Sequence, residues 1–245
     1  MKIIKLDAIN STNEYLKKYV KENLIKNTCV IYTFNQTKGK GQRGKVWFSE
    51  SGKNIAFSIC IFPENLKVKD QFCINMLFSL FIINILNSLK IPDLNIKWPN
   101  DILSGDKKIC GILNELKVKG DKIENIIIGF GLNVNQVNFQ NLPNASSLKL
   151  INNINYDLDR FVSSIIQSLK KNNYLNSIPY LDFEKLTIKY HKNLYGINEN
   201  KFFLDYENKK FIGKIISVNK MGIIKIKIAD NSIKNYNFQE IQMIY

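Results

Sequence analysis

The chain has 245 residues, 45% of them hydrophobic and 23% charged, a balance that speaks against intrinsic disorder and leaves room for one large domain plus a small one. Its formal net charge of +14 points toward an acidic partner, yet the excess of Lys, Asn and Ile runs along the whole chain, which argues against a dedicated nucleic-acid surface. Four cysteines without CxxC spacing, three of them among apolar neighbours, speak against a disulfide framework or a zinc site and fit buried thiols in a reducing compartment.

The first residues, Met1-Lys2-Ile3-Ile4-Lys5, lack the apolar core and cleavage site of a signal peptide. Ser11, Thr12, Asn13 and Glu14 have the Ser-x-x-Glu form of a capping box, and Tyr15, Leu16, Tyr19, Val20 and Leu24 follow at helical spacing, which predicts a helix over 13–23. β-rich runs at 29–34 and 55–62 predict strands on either side of a glycine-rich loop. Residues 71–89 carry no charge, but Asn75, Asn84, Asn87 and Ser88 interrupt the run, so the expectation is a buried central helix rather than a membrane span.

Further strands are expected over 94–98, 109–117 and 123–129, a polar connecting loop over 135–155, and a helix over 156–172 with Leu158, Phe161, Ile165, Ile166 and Leu169 on one face. Strands outnumber short crossover helices, which favours an α+β class with a mixed sheet over a doubly wound one. From about residue 194 the texture changes to short strands separated by turns, at 201–206, 211–218, 222–228 and 233–238, the spacing of a small β-barrel. The expected division is residues 1–193 and 194–245.

Residues 36–47 read Gln-Thr-Lys-Gly-Lys-Gly-Gln-Arg-Gly-Lys-Val-Trp. Glycines let a backbone approach an anion closely, and Lys40, Arg43 and Lys45 supply positive charge. Arg43 stands out because the only other arginine is Arg160; a guanidinium is retained where forked recognition matters. The loop lacks the Lys-Ser/Thr ending of a P-loop and joins two strands instead of opening a helix.

Downstream come Lys97-Trp98-Pro99-Asn100-Asp101, then Lys107-Lys108-Ile109-Cys110-Gly111-Ile112-Leu113-Asn114-Glu115, and Gly129-Phe130-Gly131-Leu132-Asn133. In this order, over roughly residues 11–133, the motifs resemble those of the biotin protein ligases, enzymes that join biotin to a lysine of a carrier protein. The combination is far more specific than any one motif.

The resemblance implies a synthetase-like catalytic domain over 1–193 and an SH3-like C-terminal β-barrel over 194–245. It also implies a two-step reaction in which biotin and ATP give biotinyl-5′-AMP, and the carrier lysine then displaces AMP. The co-substrate would be ATP with Mg²⁺, without a tightly bound metal. The partner would be the biotin carboxyl carrier protein of acetyl-CoA carboxylase or of another biotin-dependent carboxylase, with no DNA or membrane partner. A cytoplasmic location follows, and a homodimer is compatible with it. Only ten residues precede Ser11, so the ligase-only form without a DNA-binding domain is expected.

Residue by residue, the resemblance gives Lys108 contact with the biotin carboxylate and the phosphoryl group. Ser11, Thr12, Gln36, Gly39, Lys40, Gly129 and Gly131 fall around biotin. Lys40, Gln42, Arg43, Lys45, Trp47, Asn54, Asn100 and Asn133 fall around the nucleotide, with Trp47 stacked on adenine. Lys108, Arg43 and Asp101 are the catalytic candidates, and Asp101 could hold Mg²⁺ on the phosphates or orient the acceptor lysine. Ser11 carries a second expectation, as the helix cap.

A mixed anhydride is attacked directly by an amine, so no enzyme nucleophile is required, and the single histidine, His191, is expected to be structural. Lys97, Trp98 and Pro99 are expected to shape their corner and Lys107 to face solvent. Lys40 stands where the family uses Arg, which forgoes forked geometry, and Gln42 stands where a cation is frequent. Two other functions compete: a lipoate or octanoate ligase, which would lack the Lys-Trp-Pro-Asn-Asp run, and a basic RNA-binding module without catalysis.

Overall fold

The computed structural model describes residues 1–140, 142–171, 178 and 182–244. In chain order its first half runs β1 (Lys2–Leu6), α1 (Thr12–Glu22), β2 (Cys29–Thr33), β3 (Gly39–Lys40), β4 (Val46–Trp47), β5 (Ile55–Ile61), α2 (Phe72–Ser88), β6 (Leu94–Lys97), β7 (Asp101–Ser104), β8 (Lys107–Lys119) and β9 (Lys122–Leu132). There follow α3 (Leu148–Asn152), α4 (Leu158–Lys171), α5 (Phe183–Lys192), β10 (Asn200–Asp205), β11 (Lys210–Val218), β12 (Ile224–Ile228), β13 (Ile233–Tyr236) and β14 (Ile241–Ile244).

The large sheet has the order β1-β2-β5-β9-β8-β7-β6. β1 and β2 are parallel and the other neighbours antiparallel, so the α+β class with a mixed sheet is the observed one. Side chains of a strand alternate between faces, and here both faces are covered. Cys29, Ile31, Cys60 and Ile127 pack with Leu16 and Val20 of α1. Val30, Ile59, Ile126 and Ile128 belong to the larger core around α2 on the other face. This double coverage explains why β5 and β9 read as nearly unbroken apolar runs.

α2 is buried from Phe72 through Ile83, and again at Ile85 and Leu86. The stretch Val68–Ser88 is long and apolar enough to cross a membrane by length and composition, but it forms the central packing element of this molecule. Burying one such Leu, Ile or Phe side chain contributes about 1.5–3 kcal/mol, so this helix is the largest single source of stabilisation in the core.

Ser11 caps α1 as expected, accepting from the Glu14 amide at 3.5 Å. The reciprocal half of the capping box is absent because the Glu14 carboxylate turns outward to the Lys40 ammonium. Helix α4 starts two residues later than expected, and its expected last residue, Asn172, lies outside the described residues, as does Asn141 of the expected 135–155 loop. That loop holds a short helix, α3, capped by Ser147, whose hydroxyl accepts from the Leu150 amide at 3.3 Å. His191 is structural in placement: its Nε2 lies 2.9 Å from the Val218 amide nitrogen and 3.0 Å from Val218 O, and burial lowers its pKa against the Val218 carbonyl contact.

The expected SH3-like β-barrel does not form. The C-terminal strands make one open sheet in the order β13-β12-β11-β10-β14, with β13 and β14 as unpaired edges. Closure is unnecessary because the apolar face, carrying Phe203, Ile215, Ile224, Ile226, Ile241 and Met243, joins the core around α2 and α5 and does not have to fold on itself. Just after α5 the chain also runs along the β6 edge, where the Ile96 amide donates to Asn193 O at 2.7 Å and the Tyr195 amide to Ile96 O at 2.9 Å.

All four cysteines are free and buried. Burial pushes the Cys60 and Cys73 thiols up to about 12 and raises Cys110 as well. At about pH 8, where an unperturbed thiol is partly ionised, none should react with an aromatic disulfide reagent while the chain is folded, and all should react after denaturation; rapid labelling of the native chain would contradict this packing.

Candidate active site

The face of the large sheet that carries α1 is not fully covered by it. Along β8 and β9 the positions on that face include Gly111, Leu113, Gly129 and Gly131, and Gly111 pairs directly with Gly131. Three missing side chains leave main chain as the floor of a cleft of about 440 Å³.

Two of these glycines are required by what lies on them. A Cβ on Gly131 would sit 2.4 Å from Trp47 Cε2 and 2.5 Å from Nε1, and one on Gly111 would sit 2.9 Å from Trp47 Cζ3. The indole therefore lies flat on the floor. Gly129 makes room instead for Asn13, since a Cβ there would fall 2.0 Å from Asn13 Oδ1.

Trp47 reaches this position because the glycine-rich loop folds into a small hairpin, β3 against β4, with Gly39 opposite Trp47 and Lys40 opposite Val46. A Cβ on Gly39 would meet Trp47 O at 2.4 Å, so that position admits only glycine. At the hairpin tip the Gly41 amide donates to Lys45 O at 2.7 Å, and Arg43 takes left-handed angles, φ 57° and ψ 36°. A residue with a Cβ pays about 1–2 kcal/mol there, a strain of the kind found where side-chain direction matters to function.

One end of the cleft is lined by neutral hydrogen-bonding groups at the start of α1. Gln36 Oε1 accepts from the Thr12 amide at 2.9 Å and from Thr12 Oγ1 at 3.2 Å. Ser58 Oγ lies 2.7 Å from Thr12 Oγ1 and 2.6 Å from Asn13 Oδ1, and Asn13 Nδ2 donates to Glu115 Oε2 at 2.9 Å and Leu113 O at 3.2 Å. Thr12, Asn13 and Ser58 are buried, Gln36 and Glu115 are half-buried, and the bonds among them make this end rigid.

The other end is cationic. Lys40, Arg43, Lys45, Lys97 and Lys108 line the cleft with one carboxylate, Asp101, among its described residues. Lys108 Nζ stands 2.7 Å from Asp101 Oδ1 and 5.3 Å from the centroid of the Trp47 ring. Asp101 opens β7 after the Pro99-Asn100 turn, and Asn100 holds that turn to β8: its Nδ2 donates to Ile112 O at 2.7 Å, and its carbonyl accepts from the Ile112 amide at 2.9 Å. Lys97, paired across the same corner with Asp101, is buried; desolvation brings its pKa down to about 8 against the pull of Asp101, with Lys108 and Lys45 adding to the decrease.

The structure thus brings together Ser11, Thr12, Gln36, Lys40, Gln42, Arg43, Lys45, Trp47, Asn100, Asp101, Lys108, Gly129, Gly131 and Asn133 around one cleft. Gly39 and Asn54 stand behind it. Asn54 is buried, its Nδ2 donating to Ser49 Oγ at 3.2 Å and its Oδ1 accepting from the Val134 amide at 3.0 Å, so it fixes the chain that carries Asn133. Asn133 Nδ2 donates to Ser146 O at 2.9 Å, while its buried Oδ1 has no hydrogen-bond partner among the described residues.

Lys97, Trp98 and Pro99, expected only to shape the corner, line the cleft themselves, and Asn13 lines it beside Thr12. The structure adds two further groups. Phe139, Leu142, Pro143 and Ala145 come from the loop read as a polar connection, pinned by Lys108, whose amide donates to Asn144 O at 2.6 Å and whose carbonyl accepts from the Ser146 amide at 2.9 Å. Lys107, exposed as expected, donates to Pro143 O at 2.8 Å. Phe238, Ile241, Gln242 and Met243 come from the C-terminal sheet. The apolar residues in an otherwise Asn-rich loop, and the lone hydroxyl Ser58 inside β5, were the available signals for part of this.

Residues 6–133 match the biotin/lipoate A/B protein ligase family. The bifunctional ligase/repressor BirA of Bacillus spizizenii is 26% identical over 240 residues, covering 96% of this chain and 72% of that protein. BirA of Escherichia coli is 32% identical over 129 residues, which is 53% of this chain and 39% of that protein. Among solved structures, the biotin protein ligase from Aquifex aeolicus in complex with biotin and ATP superposes with a TM-score of 0.80 over 99% of this chain and 98% of that one, at 23% identity, a likeness of fold. With more than half of its length matched, and the matched segment supplying both the floor and the charged pair of the cleft, this chain belongs to the biotin/lipoate A/B protein ligase family.

Proposed function

We propose that the chain is an ATP-dependent biotin protein ligase: it forms biotinyl-5′-AMP and then transfers biotin to a lysine of a carrier protein. The observation that carries this reading is the Lys108 ammonium, held by Asp101 in a cleft that has a neutral, hydrogen-bonding end at α1 and a cationic end to which Lys108 belongs. A neutral bicyclic ring system with a carboxylate tail suits the first end and a triphosphate the second. The BirA relatives are ligases by name, and the Aquifex structure holds biotin and ATP.

In the first step a biotin carboxylate oxygen attacks the α-phosphorus of ATP and pyrophosphate leaves. Both reactants are anions, so their approach needs cations that are in place beforehand. Lys108 takes the carboxylate and α-phosphoryl oxygens, with Arg43, Lys45 and Lys40 on the phosphates. Asp101 is the carboxylate available to a phosphate-bound Mg²⁺, which would neutralise charge on the leaving pyrophosphate. Asn133 Oδ1 offers a buried acceptor to the nucleotide. Trp47 offers a flat apolar face on which adenine can stack, and closure of the hairpin loop would exclude water from the anhydride.

In the second step the acceptor lysine attacks the acyl carbon as the neutral amine, AMP leaves with the bond electrons and the new amide nitrogen releases a proton to solvent, while Asp101 would orient the incoming side chain. The carrier protein is the partner we assign, from acetyl-CoA carboxylase or another biotin-dependent carboxylase, and the charge of +14 would steer an acidic domain. Residues 1–193 would carry the chemistry and residues 194–245 one wall of the cleft. A reducing compartment such as the cytoplasm is the setting supported by the four buried free thiols.

The reading is tested by exchange of labelled pyrophosphate into ATP with biotin, lipoate or octanoate and no carrier protein. Exchange with biotin alone is expected; exchange with lipoate instead would move the chain to the lipoate branch. Lys108→Ala should lower biotin-dependent kcat/KM by about a hundredfold or more, the size seen when a donor to developing charge is removed, and normal adenylation by that variant would sink its assigned role. Arg43→Gly should relieve the left-handed strain and leave thermal stability equal or up by about 1 kcal/mol, while exchange falls at least about tenfold as a charge-assisted phosphate contact is lost. Gly131→Ala should displace the indole at a cost of about 1–3 kcal/mol in packing, seen as a Trp fluorescence change with weakened biotin binding; a silent substitution would show that Trp47 does not rest on that floor.

A further inference from the structure

Trp98 belongs to the Lys-Trp-Pro-Asn-Asp run, and its ring is 4% exposed. A buried indole N–H must find an acceptor, and Trp98 Nε1 donates to Gly222 O at 3.0 Å, in the turn between β11 and β12 of the other sheet. That turn is internally rigid. Asn219 Oδ1 accepts from the Met221 and Ile223 amides, each at 3.0 Å, and the Gly222 amide donates to Asn219 O at 2.9 Å.

The same turn is clamped on its far side. Lys220 Nζ stands 2.9 Å from Asp70 Oδ1, just before α2, and Gly222, at φ 85°, lies so close to Phe72 that a Cβ would meet its Cδ2 at 2.7 Å. From this turn β11 pairs with β10, and β10 with β14, whose Ile241, Gln242 and Met243 line the cleft.

We propose that Trp98 is a positioning residue that ties the C-terminal sheet to the β6–β7 corner, so that β14 forms the cleft wall on the nucleotide side. This rests on the functional reading above. The side is fixed by topology: Thr12 and Gln36 belong to the α1 and β2 flank of the large sheet, whereas β6 is the opposite edge, along which the chain enters the C-terminal sheet. Loosening the tie therefore moves a wall on the β6 side of the cleft, away from the α1 flank that carries Thr12 and Gln36.

Trp98→Phe keeps an aromatic ring in the core and removes the donor, but also part of the buried ring system, so it is read only together with a second variant that leaves the core intact. Lys220→Met, at a residue that does not line the cleft, breaks the clamp on the same turn from the other side. Pyrophosphate exchange by both variants should show a raised KM for ATP, about five- to tenfold for Trp98→Phe, the size of one buried hydrogen bond, and less for Lys220→Met. The KM for biotin and kcat should stay within about twofold of the wild type, a split that a general loss of folding would not give. Amide exchange in β14 should accelerate in Trp98→Phe while that in β8 and β9 does not.

Equal rises in both KM values, a loss confined to kcat, or faster β14 exchange with an unshifted ATP KM would each overturn the tie. If Trp98→Phe fails to fold, Lys220→Met with a normal ATP KM overturns it alone. A wild-type chain inert with every acid overturns the functional reading and the inference with it, whereas an active wild type with unshifted variants overturns only the inference.

Discussion

Gly111 and Gly131 face each other across β8 and β9, and their missing side chains put main chain where a strand normally presents a packed surface. The indole of Trp47 fills that space, and its position fixes the hairpin that carries Lys40, Arg43 and Lys45. It also sets the ring beneath the Lys108 ammonium. A methyl group at either glycine would lift the ring and with it the cationic loop. These glycines of this chain are thus better understood as a flat bed for the indole than as flexible points.

Charge distribution in the cleft follows from what it is built to receive. Two like charges about 4 Å apart cost about 4 kcal/mol near a protein surface at an effective dielectric of 20, so a cluster of cations is tolerated only with partial neutralisation. Asp101 supplies it for Lys108, and Glu14 for Lys40. At Lys97 burial brings the pKa to about 8 despite Asp101 across the turn. An arriving polyphosphate relieves all of these positions together. In the proposed reading the surplus of positive charge is held for the ligand, and Lys40 meanwhile has a helix carboxylate, Glu14, as its partner in the free protein.

Much of this was legible in the sequence where local chemistry decides structure. The capped α1, the uncharged run that becomes α2, and the strands on both sides of the glycine loop follow from period, capping and composition, and the ordered motifs located the cleft. What was not legible depends on distant segments meeting. Nothing local marks Asn13 as the group that occupies the space above Gly129, or the Asn-rich loop as a wall pinned to Lys108. Asn54 is polar and lies in the right stretch, yet burial and its bonds to Ser49 and Val134 put it behind the cleft. The C-terminal strands up to β13 were found by their short length and regular spacing between turns, β14 was not, and spacing does not state what their apolar face packs against. A barrel buries that face against itself, while here the face is buried against α2 and α5.

That difference in architecture has a consequence for the cleft. A closed barrel would carry its own core and could swing on the connecting chain, so a wall it contributed would be held only by surface contacts. The open sheet instead shares one continuous apolar core with the large sheet, and Ile241 and Met243 of β14 are buried in it. Packing at crystal-like density transmits small displacements rather than absorbing them. The polar fastenings between the two sheets, the Trp98 indole on Gly222 O and the Lys220–Asp70 pair, then select one register among the ways two apolar faces could slide on each other, because each is directional where burial is not. Burial gives the assembly its stability, and two or three directed contacts give the cleft its shape.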